Sequence, residues 1–485
     1  MNLSAPAPSV PRSPSPVAAM AFTAMAGGLG WGIRGQYGHE TGAMIAGLLV
    51  FLTLATLFGG GLPLTTVLRA VAWGTVGIGI GGSMTYGQTV GLTHDPALVG
   101  NWEALRWGML GLGIKGGLWI GFAGALFGMA LGGSRYRAGE LTLLFGALLL
   151  LFFAGTWLLN SPFDPSQKVL PRIYFSADWR WQPEATLRPR REVWGGLLFA
   201  LVGLLAYTGV VRRDPLAPRL AAWGVLGGFL GFPAGQSLQA AHAWNLDLIR
   251  SGAWAAWDSK INWWNFMETT FGAVMGACLA LGTWWHRDRL VAAPHPGTAT
   301  LPWPAEILLM ILHVTLLMLS EFTDLPWIGL YTDLGLLMVV LPVAAIATGR
   351  WWPYALLFPI TLLPIAGKTV REMVIEHPVL PPVAGWALYG IAPVLLAAAT
   401  AVWFERRAQH GMPTLVFARS ALLLSVWLYF GLNFAFFRFP WPWNPWTART
   451  PNALVFLVCG LGLTVLARSR YPSGSLLRPK AYGSP

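Results

Sequence analysis

The chain has 485 residues, of which only 11% are charged, less than half the roughly 25% of an average soluble domain. Another 55% are hydrophobic before the 58 glycines are counted, so a soluble enzyme is excluded. The net charge of +12 sits singly in short loops, without the clustered stripe or reading motif of a nucleic-acid binder, and the only cysteines, Cys278 and Cys459, lie inside apolar runs and draw no disulfide framework.

In chain order, residues 1–16 are rich in Pro, Ser and Ala and read as a disordered cytoplasmic tail. Ala24-Met25-Ala26 mimics a signal-peptide cleavage site, yet the apolar, Gly-rich continuation to Ile33 favours a retained first helix. Apolar runs long enough to cross a bilayer then recur near 17–33, 41–61, 66–92, 107–133, 140–159, 193–211, 219–240, 262–285, 303–321, 327–348, 351–367, 384–403, 412–435 and 451–467. The expected fold is all-α: a polytopic integral membrane helix bundle of about 14 transmembrane helices.

An even number of spans puts both termini on one side. The charges sort accordingly: seventeen bases and five acids, the whole net charge, fall on loops of the termini's parity, and the remainder sums to zero. By the positive-inside rule both termini are cytoplasmic, in a cell (inner) membrane. The opposite, outer loops carry the mixed-sign charge, His39, His94, His242 and His377 and many tryptophans, and this face is where chemistry is expected. It includes the long connection 160–192, whose Arg188-Pro189-Arg190-Arg191 run opposes the orientation rule and suits anionic headgroups.

The first half of the chain repeats. Arg69…Trp73-Gly74 matches Arg219…Trp223-Gly224, and Gly87-Gln88…His94 matches Gly235-Gln236…His242. Gly124-Ala125…Gly128 matches Gly272-Ala273…Gly276, and Glu40 and Glu192 each open a preceding helix. Two four-helix units, 17–133 and 140–285, are expected to run the same way across the membrane, a parallel internal repeat that places sites at the interface between halves. Gln88/His94 and Gln236/His242 would face each other near the outer end. A C-terminal six-helix part, 303–467, shows no copy, and 468–485 is a basic cytoplasmic tail.

Within this frame the segment Gly27–Gly42 holds seven glycines in sixteen residues, with Arg34, Gln36, His39 and Glu40 among them. A broken helix or re-entrant turn is expected there, making an anion site beside Arg34; the alternative is glycines that let helices approach closely. Lys115 and Glu268 lie inside apolar spans, where an unpaired charge costs at least about 2.5 kcal/mol, so each needs a partner, the other being one candidate. His39, Glu40, His94, Asp95 and His242 offer acid–base groups, but His39-Glu40 lacks the second histidine of a zinc-protease helix and no metal or cofactor is expected. The candidate substrate-binding residues are therefore Arg34, Gln36, His39, Glu40, Gln88, His94, Lys115, Gln236, His242 and Glu268.

The chain carries neither an ATP-binding loop nor a sugar-porter motif. The pattern points to a secondary carrier for a small polar, anionic or sugar-like solute. The alternative is a membrane-embedded transferase or hydrolase acting on a lipid-linked or glycan substrate at the outer leaflet, with Glu40 or His39 as base and 160–192 as a lid. The partners are the lipid bilayer and that solute or lipid-linked substrate.

Overall fold

The computed structural model describes residues 14–35, 39–82, 84, 86–292, 302–328, 357–378, 380–436 and 449–469. Its helices of eight residues or more are α1 Pro16–Arg34, α2 His39–Phe58, α3 Leu64–Gly81, α4 Gly87–His94, α5 Trp102–Leu131, α6 Ala138–Leu159 and α7 Trp194–Ala206. They continue with α8 Ala217–Trp244, α9 Trp263–Trp285, α10 Trp303–Phe322, α11 Leu357–Val370, α12 Ala392–Gln409, α13 Thr414–Phe436 and α14 Thr450–Arg468. Among the described residues, 11 helical segments are long and apolar enough to cross a membrane, and the chain is an all-α, multi-pass membrane protein. The expected span 327–348 falls almost wholly outside the described residues.

Six helices close a ring in the order α1, α2, α3, α5, α8, α9 and back to α1. Glycine makes the two tightest seams possible. A Cβ on Gly27 of α1 would lie 2.0 Å from the Gly272 carbonyl oxygen of α9, and one on Gly228 of α8 would lie 1.9 Å from that of Gly116 on α5. At such seams backbones touch directly, which is how helices associate when lipid supplies no hydrophobic drive. The ring buries Gln236 and Gln239 of α8, a helix too polar to stand among the 11 candidate spans, while Leu226, Phe229, Leu230 and Leu238 of the same helix face outward. Outside the ring α6 and α7 pack together, α7 also lying along α5; α6 turns Leu143, Leu150, Phe153 and Trp157 outward as a lipid-facing surface. On the opposite flank α13 and α14 pack on α2 and α1.

Of the Gly-rich segment Gly27–Gly42, the part up to Arg34 is continuous with the helix that starts at Pro16, its glycines sitting at contacts: Gly30 against Ala46 of α2 and Gly32 against Phe456 of α14. The helix ends there and α2 opens at His39, and residues 36–38, between them, lie outside the described residues. The span read as 66–92 is interrupted after Gly81 and forms α3 and α4. The Trp119 indole of α5 stands where a Gly81 side chain would be and donates to the Ile78 carbonyl at 2.5 Å, satisfying backbone that the break leaves without a helical partner.

Helix starts at the end of the ring bearing loop 160–192 are set by asparagine caps. Asn101 accepts from Ala104 N at 3.0 Å and Asn262 from Asn265 N at 3.1 Å. Asn452 of α14 exchanges two hydrogen bonds of 3.0 Å with the Asn262 backbone, fastening the start of α14 to that of α9.

Candidate functional site

Inside the ring, at the last residue of α1, Arg34 reaches Glu268 of α9, with Nη1 3.0 Å from Oε1 and side-chain exposures of 6% and 2%. Tyr86, delivered by the break between α3 and α4, donates to the same Oε1 at 2.9 Å and also bonds Arg34. The Trp264 indole is a third donor to Oε1, at 3.2 Å. All the described bonding thus converges on one carboxylate oxygen. Glu268 Oε2 and Arg34 Nε are buried without a hydrogen-bond partner among the described residues.

Aromatic rings hold the guanidinium independently of the carboxylate. Its carbon stands 5.4 Å from the Trp31 ring centre, 5.2 Å from that of Tyr86 and 5.6 Å from that of Trp119, each a favourable cation–π distance. The box continues inward as a plug: Trp31 meets Trp119 edge to face at 4.9 Å, and Phe232 of α8 stacks on Phe271 of α9 at 4.7 Å. α1, α5 and α8 and the α3–α4 break therefore each contribute one aromatic to the centre, and α9 contributes Trp264 and Phe271.

A second buried network lies about a turn away along α5. Lys115 pairs with Glu192, just ahead of α7, at 2.7 Å, and also donates to Thr89 of α4 at 2.7 Å. Glu192 further accepts from Ser176 Oγ at 2.8 Å and from the Phe175 amide at 3.1 Å. Loop 160–192 is thereby seated on α4. Gln88 completes the seat, accepting from Arg190 N at 2.9 Å and donating to the Arg188 carbonyl at 2.8 Å.

A third cluster forms between α8 and α9. The His242 ring stacks on Trp263 with centres 4.3 Å apart, and its Nε2 lies 2.6 Å from Asp258 Oδ1. Arg250 Nε donates to the other oxygen at 2.9 Å. Burial alone would raise the Asp258 carboxyl, but hydrogen bonds from Arg250, Trp263 and His242 outweigh it and hold the group below its ordinary value. Beside it opens a cavity of about 600 Å³ lined by Leu248, Trp254, Trp257 and Trp263.

Lys115 and Glu268 do not pair with each other: each is neutralised closer to hand, by Glu192 and Arg34. The matched glutamines do different work, Gln88 on the loop and Gln236 on α4, where its Nε2 donates to Thr93 Oγ1 at 2.6 Å. That bond, with Trp244 Nε1 donating to the Thr93 carbonyl at 2.9 Å, brings the two Gln/His segments together. His94 sits 6.5 Å from Trp264 and His242 over the adjacent Trp263. The matched glycines also have different partners, Gly124 meeting α8 and Gly272 meeting α1. Gln36 lies outside the described residues, as do the side chains of His39 and Glu40, which open α2. Tyr86, Trp119 and Thr89 are not singled out by the sequence; the run Gly81-Gly82-Ser83-Met84-Thr85-Tyr86-Gly87 carries the usable signal, a glycine-flanked polar interruption inside an apolar stretch. Comparison with known protein families, with curated proteins and with solved structures finds no match.

Proposed function

We propose that this membrane protein is a secondary carrier for a small polar, anionic or sugar-like solute, with Arg34, Tyr86 and Glu268 as the centre of its site. The observation that carries the reading is a buried guanidinium–carboxylate pair, enclosed by a ring of helices, in which a donor, Arg34 Nε, and an acceptor, Glu268 Oε2, have no partner among the described residues. An ion pair kept only for architecture has reason to satisfy every polar atom, since a half-satisfied buried network is costly. The neighbouring α3–α4 break supports the same reading, because discontinuous helices beside a midplane site are a recurrent carrier device. In this reading the aromatic plug closes one side of the site and α4 with loop 160–192 the other, the loop side is extracytoplasmic, and the two halves of the repeat move against each other.

The test is uptake of labelled gluconate and glucuronate into proteoliposomes of the purified chain. Uptake is expected to disappear in Arg34→Ala while the variant still elutes as an assembled protein; uptake at the parental rate in that variant would remove the reading. One observation favours a membrane-embedded enzyme instead: the His242–Asp258 couple beside a tryptophan-lined cavity, a geometry suited to general-base chemistry on a lipid-linked substrate. Product formation from such a substrate in detergent, with no gradient and lost in His242→Ala, would establish that alternative.

A further inference from the structure

The same site carries a statement about its coupling ion, which rests on the carrier reading. We infer that Glu268 is a proton-binding residue, so that the site takes up one proton with each monoanion it binds. The argument is electroneutrality in a buried place. Arg34 and Glu268 are a neutral pair at side-chain exposures of 6% and 2%. An anion that engages Arg34 must compete with the Glu268 carboxylate, and a second negative charge there would stand uncompensated in a site where even paired ions cost several kcal/mol each to desolvate. Arginine does not deprotonate in proteins, so only the carboxylate can adjust.

The geometry provides for that adjustment. Glu268 Oε1 already receives Arg34, Tyr86 and Trp264, whereas Oε2 has no described partner and is the oxygen left to take a proton. The guanidinium keeps its position when its carboxylate is neutralised, because Trp31, Tyr86 and Trp119 box it. The exchange balances as Arg34⁺·Glu268⁻ plus H⁺ plus X⁻ giving Arg34⁺·X⁻ and Glu268–COOH: one O–H bond forms, nothing is oxidised, and the site's charge is zero before and after.

The surrounding ionisable groups leave this role to Glu268. Arg34 comes from α1, Tyr86 precedes α4, and His94 of α4 lies beyond Trp264. Lys115 of α5 is engaged with Glu192, and His242 of α8 with Asp258. From α14 the residues facing this region are Asn452 and Phe456, which do not titrate. His39 and Glu40 open α2 with side chains outside the described residues.

The experiment uses gluconate and glucuronate, membrane-impermeant monoanions, with the full-length protein. In detergent at pH 7.5, calorimetric titration in two buffers of different ionisation enthalpy is expected to show one proton taken up per anion bound. In proteoliposomes holding a trapped pH dye, with the membrane potential clamped, adding either anion outside is expected to acidify the lumen. Glu268→Gln, which resembles the protonated acid, should still exchange labelled anion across the membrane, with acidification reduced at least tenfold. Glu268→Asp, which keeps a titrating group, should retain it. Binding without proton uptake, flux accelerated by an imposed potential, or acidification that survives in Glu268→Gln would overturn the proton assignment alone. Neither binding nor flux of either anion would instead remove the carrier reading beneath it. The calorimetric arm needs only the parental chain, so a poorly folding variant does not decide the outcome.

Discussion

Two buried cation–carboxylate pairs, Lys115–Glu192 and Arg34–Glu268, lie within the same helical assembly and differ in what surrounds them. At Lys115–Glu192 both carboxylate oxygens are used, Oε1 by Lys115 and Ser176 and Oε2 by the Phe175 amide, and the ammonium also binds Thr89. At Arg34–Glu268 every described donor crowds onto Oε1, while Oε2 and Arg34 Nε have no partner among the described residues. Because desolvating an ion pair is barely repaid even when the pair is fully bonded, the first arrangement suits a permanent clasp, here between α5, α4 and loop 160–192. The second retains bonding capacity in a place shielded from solvent, which suits a site whose partner changes.

The largest effect that sharpens this contrast is expected at the clasp. Removing one member of a fully buried pair costs about 3–5 kcal/mol because the other charge is left behind. Lys115→Met should therefore lower the thermal unfolding temperature in detergent by many degrees and open loop 160–192 to protease. The double variant Lys115→Met/Glu192→Met should recover most of the loss. If the single variant unfolds at the parental temperature, the clasp contributes little and the contrast collapses. A smaller effect belongs to the seam beside the site. Gly272→Ala places a Cβ 2.1 Å from the Gly27 carbonyl oxygen, and overpacking of this kind costs about 1–3 kcal/mol. Gly146→Ala on α6, where nothing lies within 4 Å, should move the other way, stabilising by roughly 0.5–1 kcal/mol as a helix-interior glycine replaced by alanine. Thermal melts of the two variants side by side check the sign.

How much of this was legible in the sequence follows from what each feature depends on. The helical membrane fold is written in the length of the apolar runs, a local property; Lys115 and Glu268 stand out because charge inside such runs is expensive wherever it occurs, and Arg34 because of the glycines around it. Pairing is not local. Arg34 meets Glu268 across 234 residues and Lys115 meets Glu192 across 77, so spacing in the chain could not assign partners. Glycine was ambiguous for the same reason. At Gly27 and Gly30 it serves helix contact, whereas Gly81-Gly82 ends a helix, and the difference lies in what stands opposite: the Gly272 and Ala46 backbones in the first case, the Trp119 indole in the second. Gln88 and Gln236 match in sequence yet bind loop 160–192 and Thr93 respectively, because loop 160–192 has contacts of its own with α4.

The third cluster tests the contrast from the solvent-accessible side, with the smallest expected effect. Asp258 joins the turns Leu246–Ile249 and Ala255–Asp258 to α8 and α9 through His242, Arg250 and Trp263. Its carboxyl is held below the ordinary value, burial opposing the shift and those three hydrogen bonds prevailing. A carboxylate whose folded-state value is depressed stabilises the fold above its unfolded value, about 3.9 for aspartate, and that contribution fades as pH falls through the folded value. Amide exchange over residues 246–261 should therefore stay slow as pH is lowered from 7 toward 5 once intrinsic exchange is corrected, and lose protection only below about pH 4. In Asp258→Asn that acid step should vanish, leaving uniformly weaker protection. Arg250 is 63% exposed, so added salt should screen its share of the effect, whereas the Lys115–Glu192 clasp at 1% and 0% exposure should be insensitive to salt. Equal salt sensitivity at the two clusters would mean that burial is not what separates a clasp from a rim contact in this molecule.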